Sequence, residues 1–154
     1  MNRTRLGVDT NVFVYAIDRR SPKHSRAVSW LEKIGNGDYT GVVSCQNLTE
    51  LYAVLTNKKV MRAGALSVVE AIGQIKDIVD KGVFEVVFPS GETISLFREL
   101  LKEVRPVGQV VHDVFLAATL LSNGVDTLLT ANGQDFAKIR GLRTIDLIDT
   151  SAPW

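Results

Sequence analysis

Short apolar runs of strand type alternate along this chain with longer stretches of helical period. That alternation restricts the fold more than any other feature. Leu6 to Asp9, Gly41 to Ser44, Phe84 to Phe88, Thr127 to Thr130 and a brief Arg143 to Ile145 read as five strands. Between them, Asn11 to Ile17 begins a short helix, and Ser21-Pro22 opens a second, with Ser as N-cap and Pro at the first helical position. That second helix carries Ala27, Trp30, Leu31 and Ile34 at helical spacing and ends at Gly35-Asn36-Gly37. A third runs through Lys59 with Leu48, Leu51, Tyr52 and Leu55 on one face. Ser67 to Lys81 is a fourth, stopped by Gly82, and Ser90 to Glu103 a fifth that buries Ile94, Phe97, Leu100 and Leu101. His112 to Asn123 is the last, with Gly124 supplying its C-terminal turn. Strands and helices in this order predict an α/β domain with a parallel sheet of about five strands sandwiched between helices. One domain is expected to span residues 1–154, with the Ser151-Ala152-Pro153-Trp154 tail frayed.

Apolar residues make up 45% of the chain and charged residues 23%, which matches a soluble globular protein. No run reaches the roughly 18 uninterrupted apolar residues that a membrane span requires. Arg3 and Arg5 precede an apolar stretch, as in a secretory leader, but Asp9 and Asn11 interrupt that stretch and no small-residue cleavage site follows. Cys45 is the single cysteine, so no internal disulfide can form, and a cytoplasmic location is the expectation. The net charge of +1 says little about partners. Basic residues cluster at Arg19-Arg20-Lys23-Arg26, at Lys58-Lys59-Arg62 and at Lys138-Arg140-Arg143. Each cluster reads first as a solvated face, with a phosphate-facing rim as the alternative.

Four acidic residues stand far apart in sequence, each at the edge of an apolar segment: Asp9, Glu50, Asp113 and Asp135. Like charges within a few ångströms raise each other's pKa values and oppose folding, so a fold that gathers them needs a cation to offset the repulsion. An all-carboxylate donor set suits a hard ion, Mg²⁺ or Mn²⁺, and such an ion points to phosphoryl chemistry. In open parallel sheets, ligands bind outside the carboxyl ends of the strands, where strand order reverses. Asp9 closes the first strand, and Asn132 and Asp135 follow the fourth. Asp113 starts a helix, and Glu50 lies on the helix after the second strand, opposite its Leu48/Leu51/Tyr52/Leu55 stripe. This placement permits convergence at one cleft.

At these residues the chain resembles a PIN domain, and within that class the VapC-type toxins of prokaryotic toxin–antitoxin pairs. The matching pieces are Val8-Asp9-Thr10-Asn11-Val12, Thr49-Glu50-Leu51-Tyr52, His112-Asp113 with the Ala117-Ala118-Thr119 helix, and Leu129-Thr130-Ala131-Asn132 running into Asp135-Phe136. Gly141-Leu142-Arg143 also suits the pattern, and the resemblance extends from Leu6 to about Leu147. It implies a Mg²⁺- or Mn²⁺-dependent endoribonuclease in which Asp9, Glu50 and Asp113 hold the metal and Asp135 is the fourth acid. Thr10, Asn11, Thr130 and Asn132 would be supporting polar residues. Some family members carry an acid where Asn132 stands, which leaves Asp135 as the distal acid here. The resemblance further implies an RNA substrate, a small antitoxin partner and a homodimer.

Each residue also has a plainer role open to it. Asp113 could be an acid favoured by a helix N-terminus, Glu50 a solvated helix residue, Asp135 a turn cap, and Asp9 part of a turn with Thr10-Asn11. His112 reads as a helix-entry residue, His24 as solvated, Cys45 as a small core residue, and Trp30 and Tyr52 as core. Other α/β classes lack their motifs here: no Gly-x-Gly-x-x-Gly follows the first strand, and neither a Gly-Lys-Ser/Thr loop nor a Gly-x-Ser-x-Gly elbow is present. Two alternatives stay open beside the toxin. One is a PIN-like RNA- or protein-binding subunit with weak or no cleavage, and the other an RNA-processing nuclease free of antitoxin control.

Overall fold

The computed structural model describes residues 2–147. Its five strands, β1 (Arg5–Val8), β2 (Thr40–Ser44), β3 (Phe84–Val87), β4 (Thr127–Thr130) and β5 (Arg143–Asp146), form one sheet in the order β3-β2-β1-β4-β5. Every pairing is parallel, with Leu6 opposite Gly41 on one side of β1 and Val8 opposite Leu129 on the other. Strand order therefore reverses at β1, between β2 and β4.

Seven α-helices cover the sheet among the described residues: α1 (Thr10–Ile17), α2 (His24–Gly35), α3 (Cys45–Leu55), α4 (Lys58–Met61), α5 (Val68–Asp80), α6 (Gly91–Val104) and α7 (Val111–Ser122). Neighbouring residues of a strand face opposite ways, and the core divides accordingly. Leu6, Val8, Val43 and Leu129 pack under α1, α2, α3 and α5, while Val42, Val87 and Leu128 pack under α6 and α7. Helix α7 is buried nearly all round, through Val114, Leu116, Ala117, Ala118 and Leu120, as its almost uninterrupted apolar sequence demands. It approaches the sheet closely because Gly7 has no side chain; a Cβ there would stand 3.0 Å from Leu120 Cδ1 and 3.2 Å from the Thr127 carbonyl.

Several boundaries differ from the sequence expectation, each for a local reason. Ser21-Pro22 forms a turn and not the first helical residues: the Ser21 hydroxyl accepts from the Lys23 amide at 3.1 Å, and α2 begins at His24. Helix α3 stops at Leu55 and does not reach Lys59, because the Asn57 side chain accepts from the Lys59 amide and starts a separate turn, α4. Ile94, expected in the core, is 48% exposed. Thr93, Leu96, Phe97 and Leu100 take the face of α6 that meets α7, and Ile94 falls beside it. Phe88 lies past the end of β3 and is exposed. His24 is half-buried, with Nδ1 3.0 Å from the Tyr15 carbonyl, and is not simply solvated. The Ser151–Trp154 tail lies outside the described residues.

Gly41 is the tightest point of the sheet, since a Cβ there would meet the Phe84 ring at 2.6 Å and Ile34 Cγ2 at 2.8 Å. Phe84 is itself held edge-on against Phe13, with ring centroids 5.3 Å apart. Gly41→Ala is expected to destabilise the protein by roughly 1–3 kcal/mol through forced repacking, read as a lower urea midpoint; an unchanged midpoint would show that this layer has slack.

Candidate functional site

At the reversal of strand order, the carboxyl ends of β1, β2 and β4 open onto a cavity of about 460 Å³ lined by Asp9, Thr10, Asn11, Glu50, Asp113 and Asn132, with Tyr15, Asp18, Val60 and Met61 also on its wall. Three of the four acids singled out in the sequence thus share one cavity. Asp135 does not line it. It sits exposed in the short 3₁₀ segment Gly133–Phe136, near enough for its charge to act on Asp9 and Asp113.

Each side chain is placed by an element end. Asp9 follows the last residue of β1 and caps α1, with Oδ1 accepting from the Thr10 amide at 2.8 Å. Its other oxygen accepts from the Thr130 hydroxyl at 2.9 Å, so the end of β4 also holds it. Asn11 spans the same two strand ends: its amide nitrogen is 3.4 Å from Asp9 Oδ2, and its oxygen accepts from the Ala131 amide at 3.2 Å. The Asn132 amide donates to Thr130 Oγ1 at 3.1 Å, turning the chain at the cavity edge.

Glu50 is fixed by Thr10, which sequence reasoning singled out, and by Ser44, Gln46 and Asn47, which it did not. Ser44 and Asn47 make a reciprocal cap at the start of α3 and are both buried. Asn47 Nδ2 donates to Thr10 Oγ1 at 3.0 Å, and the Thr10 hydroxyl donates onward to Glu50 Oε2 at 3.1 Å. Gln46 Nε2 donates both to Glu50 Oε1 at 3.0 Å and to the His112 carbonyl at 3.2 Å, which joins α3 to the first turn of α7 and hence to Asp113. The Ser-x-x-Asn spacing signals the cap. Nothing in sequence reports that the same Asn reaches Thr10, a residue 37 positions away.

Electrostatics bear out the crowding. Burial pushes the Asp9 carboxyl above its ordinary range, against the hydrogen bonds from Thr130 and the Thr10 amide, and the Glu50 and Asp135 charges push the same way. Asp113 is pushed up to about 6, first by burial and then by the charges of Asp9, Asp135 and Glu50, with His112 opposing. Among the described residues, no ion pair engages Asp9, Glu50 or Asp113. The donor chemistry, three carboxylates facing one cavity without a basic partner, fits a hard divalent cation. As they stand, no three Asp, Glu, His or Cys side chains among the described residues close up far enough to hold one.

The PIN domain family profile matches residues 7–142, which takes in the whole of this cavity. The chain belongs to the PIN domain family. No curated protein sequence matches it. Solved structures do, at low identity, and they share the PIN fold. VapBC2 from Rickettsia felis, bound to a DNA fragment from its promoter, matches with a TM-score of 0.68 at 19% identity, over 93% of this chain and 98% of that one. VapBC-1 from nontypeable Haemophilus influenzae gives 0.66 at 20% identity, over 95% and 100% of the two chains. VapC20 from Mycobacterium tuberculosis, a toxin that cleaves the sarcin–ricin loop, gives 0.58 at 15% identity, over 80% and 86%.

The raised Asp113 sets a pH dependence in metal-free protein. Its folded value lies above the unfolded one, so its contribution to stability is full below about pH 4 and is lost as pH rises through about 6. Asp113→Asn removes that loss. In EDTA the variant is expected to melt together with wild type at pH 4 and to be more stable at pH 8, on the order of 1 kcal/mol after allowing for solvent screening of a half-exposed group. Parallel melting curves at both pH values would show that Asp113 carries no such repulsion.

Proposed function

We propose that this PIN domain protein is a divalent-metal-dependent endoribonuclease that hydrolyses RNA phosphodiesters, and that it is the toxin of a toxin–antitoxin pair. The observation that carries the reading is the convergence of Asp9, Glu50 and Asp113 on one cavity, none of them in an ion pair among the described residues. Asp9, Glu50 and Asp113 would hold Mg²⁺ or Mn²⁺, with Asp135 as the distal acid at the rim. A bound ion of this kind lowers the pKa of its water and neutralises charge on phosphoryl oxygens.

The protein's own part is orientation. The Thr130 hydroxyl and the Thr10 amide hold the two Asp9 oxygens in different directions. The Thr10 hydroxyl and the Gln46 amide do the same for Glu50. Second-layer hydrogen bonds of this type keep ligating carboxylates in place and lower the reorganisation that binding would require. Thr10, Asn11, Thr130 and Asn132 therefore act through the acids and the strand ends.

Support for a partner comes from the structural neighbours, which include VapBC pairs. A small antitoxin, encoded beside this protein, would hold it inactive, and the toxin itself would be a cytoplasmic homodimer. Co-expression with the product of an adjacent small gene, followed by light scattering, tests both points. A protein that stays monomeric and retains no such product would remove the toxin assignment while leaving the nuclease.

Cleavage of total RNA by purified protein in Mg²⁺ or Mn²⁺ tests the chemistry. Activity is expected to vanish in EDTA and in Asp9→Asn, and to fall by roughly 10–100-fold in Thr130→Val, which loses the hydroxyl that orients Asp9. A folded Asp9→Asn that cleaves like wild type, or cleavage that survives EDTA, would defeat the proposal.

A further inference from the structure

We infer that the single turn α4 and the Arg62 that follows it, through Lys58, Lys59 and Arg62, form the rim on which the backbone of single-stranded RNA lies beside the acidic cavity; this rests on the ribonuclease reading above. Val60 and Met61, from the same turn, line the cavity with Asp9, Glu50 and Asp113. Lys58, Lys59 and Arg62 are all exposed, and among the described residues none of them is in an ion pair. By contrast, Arg5, Lys81, Lys102 and Arg140 are each paired with a carboxylate. A polyanion approaching three carboxylates is repelled. Unpaired cations flanking the cavity-lining Val60 and Met61 offset that repulsion and hold its phosphates.

The turn is also held in a conformation that needs support. Arg62 has φ 51° and ψ −126°, the geometry of the first central residue of a type II′ turn, where glycine is at ease and an L-residue is strained. Arg105, the other non-glycine residue at positive φ among those described, closes α6 at φ 51° and ψ 55°, an ordinary left-handed cap. Arg20 ties α4 down. Its Nη2 donates to the Met61 carbonyl at 2.6 Å and its Nε to Asp18 Oδ1 at 3.0 Å, and Asp18 lines the same cavity. Gly64 leaves room for this guanidinium, since a Cβ there would be 2.6 Å from Arg20 Nη2. Glycine at position 62 would relieve the backbone. An arginine at a strained position, next in sequence to the cavity-lining Met61, is accounted for by its side chain, and a phosphate is the group that the side chain fits best.

The test is fluorescence anisotropy with a fluorescein-labelled single-stranded RNA of mixed sequence, between ~50 and 200 mM salt. The parent protein is the full chain carrying Asp113→Asn, in Mg²⁺, so that the RNA survives the measurement. Replacing Lys58, Lys59 and Arg62 together by alanine is expected to weaken binding at least ~10-fold at low salt. It should also flatten the slope of log affinity against log salt by about 2, as for three phosphate contacts on a single strand. Replacing Lys81, Lys102 and Arg140 by alanine removes equal charge away from the cavity and is expected to change affinity less than ~2-fold. Arg62→Gly alone is expected to raise the melting temperature by roughly 2–4 °C while weakening RNA binding. A merely structural role for Arg62 would move both in the same direction.

Unchanged binding in the α4 variant, equal loss in the control, or an Arg62→Gly protein that is less stable and binds normally would each overturn the proposal. A parent that binds no RNA at low salt would take the ribonuclease reading down with it. Binding that depends on α4, in a protein whose wild type never cleaves, would leave the rim standing and defeat only the hydrolysis.

Discussion

Repulsion between carboxylates is the interaction around which this cleft is organised. Asp9, Glu50 and Asp113 come from the end of a strand, the second turn of one helix and the first turn of another, and they face one cavity together. A half-buried site amplifies such repulsion because little water screens it. The fold answers with hydrogen-bond donors in place of cations. Thr130, Thr10 and Gln46 each give a donor to an acid, and Asn47 gives one to Thr10. Donors without charge orient the acids and leave their negative potential intact, which is what a site for a divalent ion requires.

The sheet explains why these elements meet. Parallel strands deliver their carboxyl ends to one edge, and the reversal at β1 separates the connections that follow β1 and β4. The capping requirements of α1 and α3 then pull Asp9 and the Ser44–Asn47 pair into the space between. A helix start and a site share the same groups here. The Asp9 carboxylate that satisfies the Thr10 amide is also the first wall of the cavity.

Periodicity carried most of the architecture. The strand runs and the apolar stripes of α2 and α3 could be read because burial imposes a period on a sequence wherever an element has one covered face. The errors fell where tertiary contact outweighed that period. Ile94 lies at helical spacing from Phe97 and Leu101 yet is exposed, because α7 covers a face of α6 centred on Thr93, Leu96 and Leu100. The division between α3 and α4 was missed because one side chain, Asn57, ends the register by capping a new turn.

For the candidate site, sequence alone determined the inventory: acids at the edges of apolar segments, in an order that matches the PIN domain, with Thr and Asn beside them. That much is local, since an acid after a buried strand or in the first turn of a helix is marked by its immediate neighbours. Tertiary structure decided the rest. It put Asp9, Glu50 and Asp113 in the cavity and left Asp135 on the rim. It joined Asn47 through Thr10 to Glu50, and it set Arg62 at positive φ directly after the cavity-lining Met61. These are relations between residues far apart in the chain. They depend on strand order and on the distance at which helices pack, and no residue's neighbours in sequence encode either one.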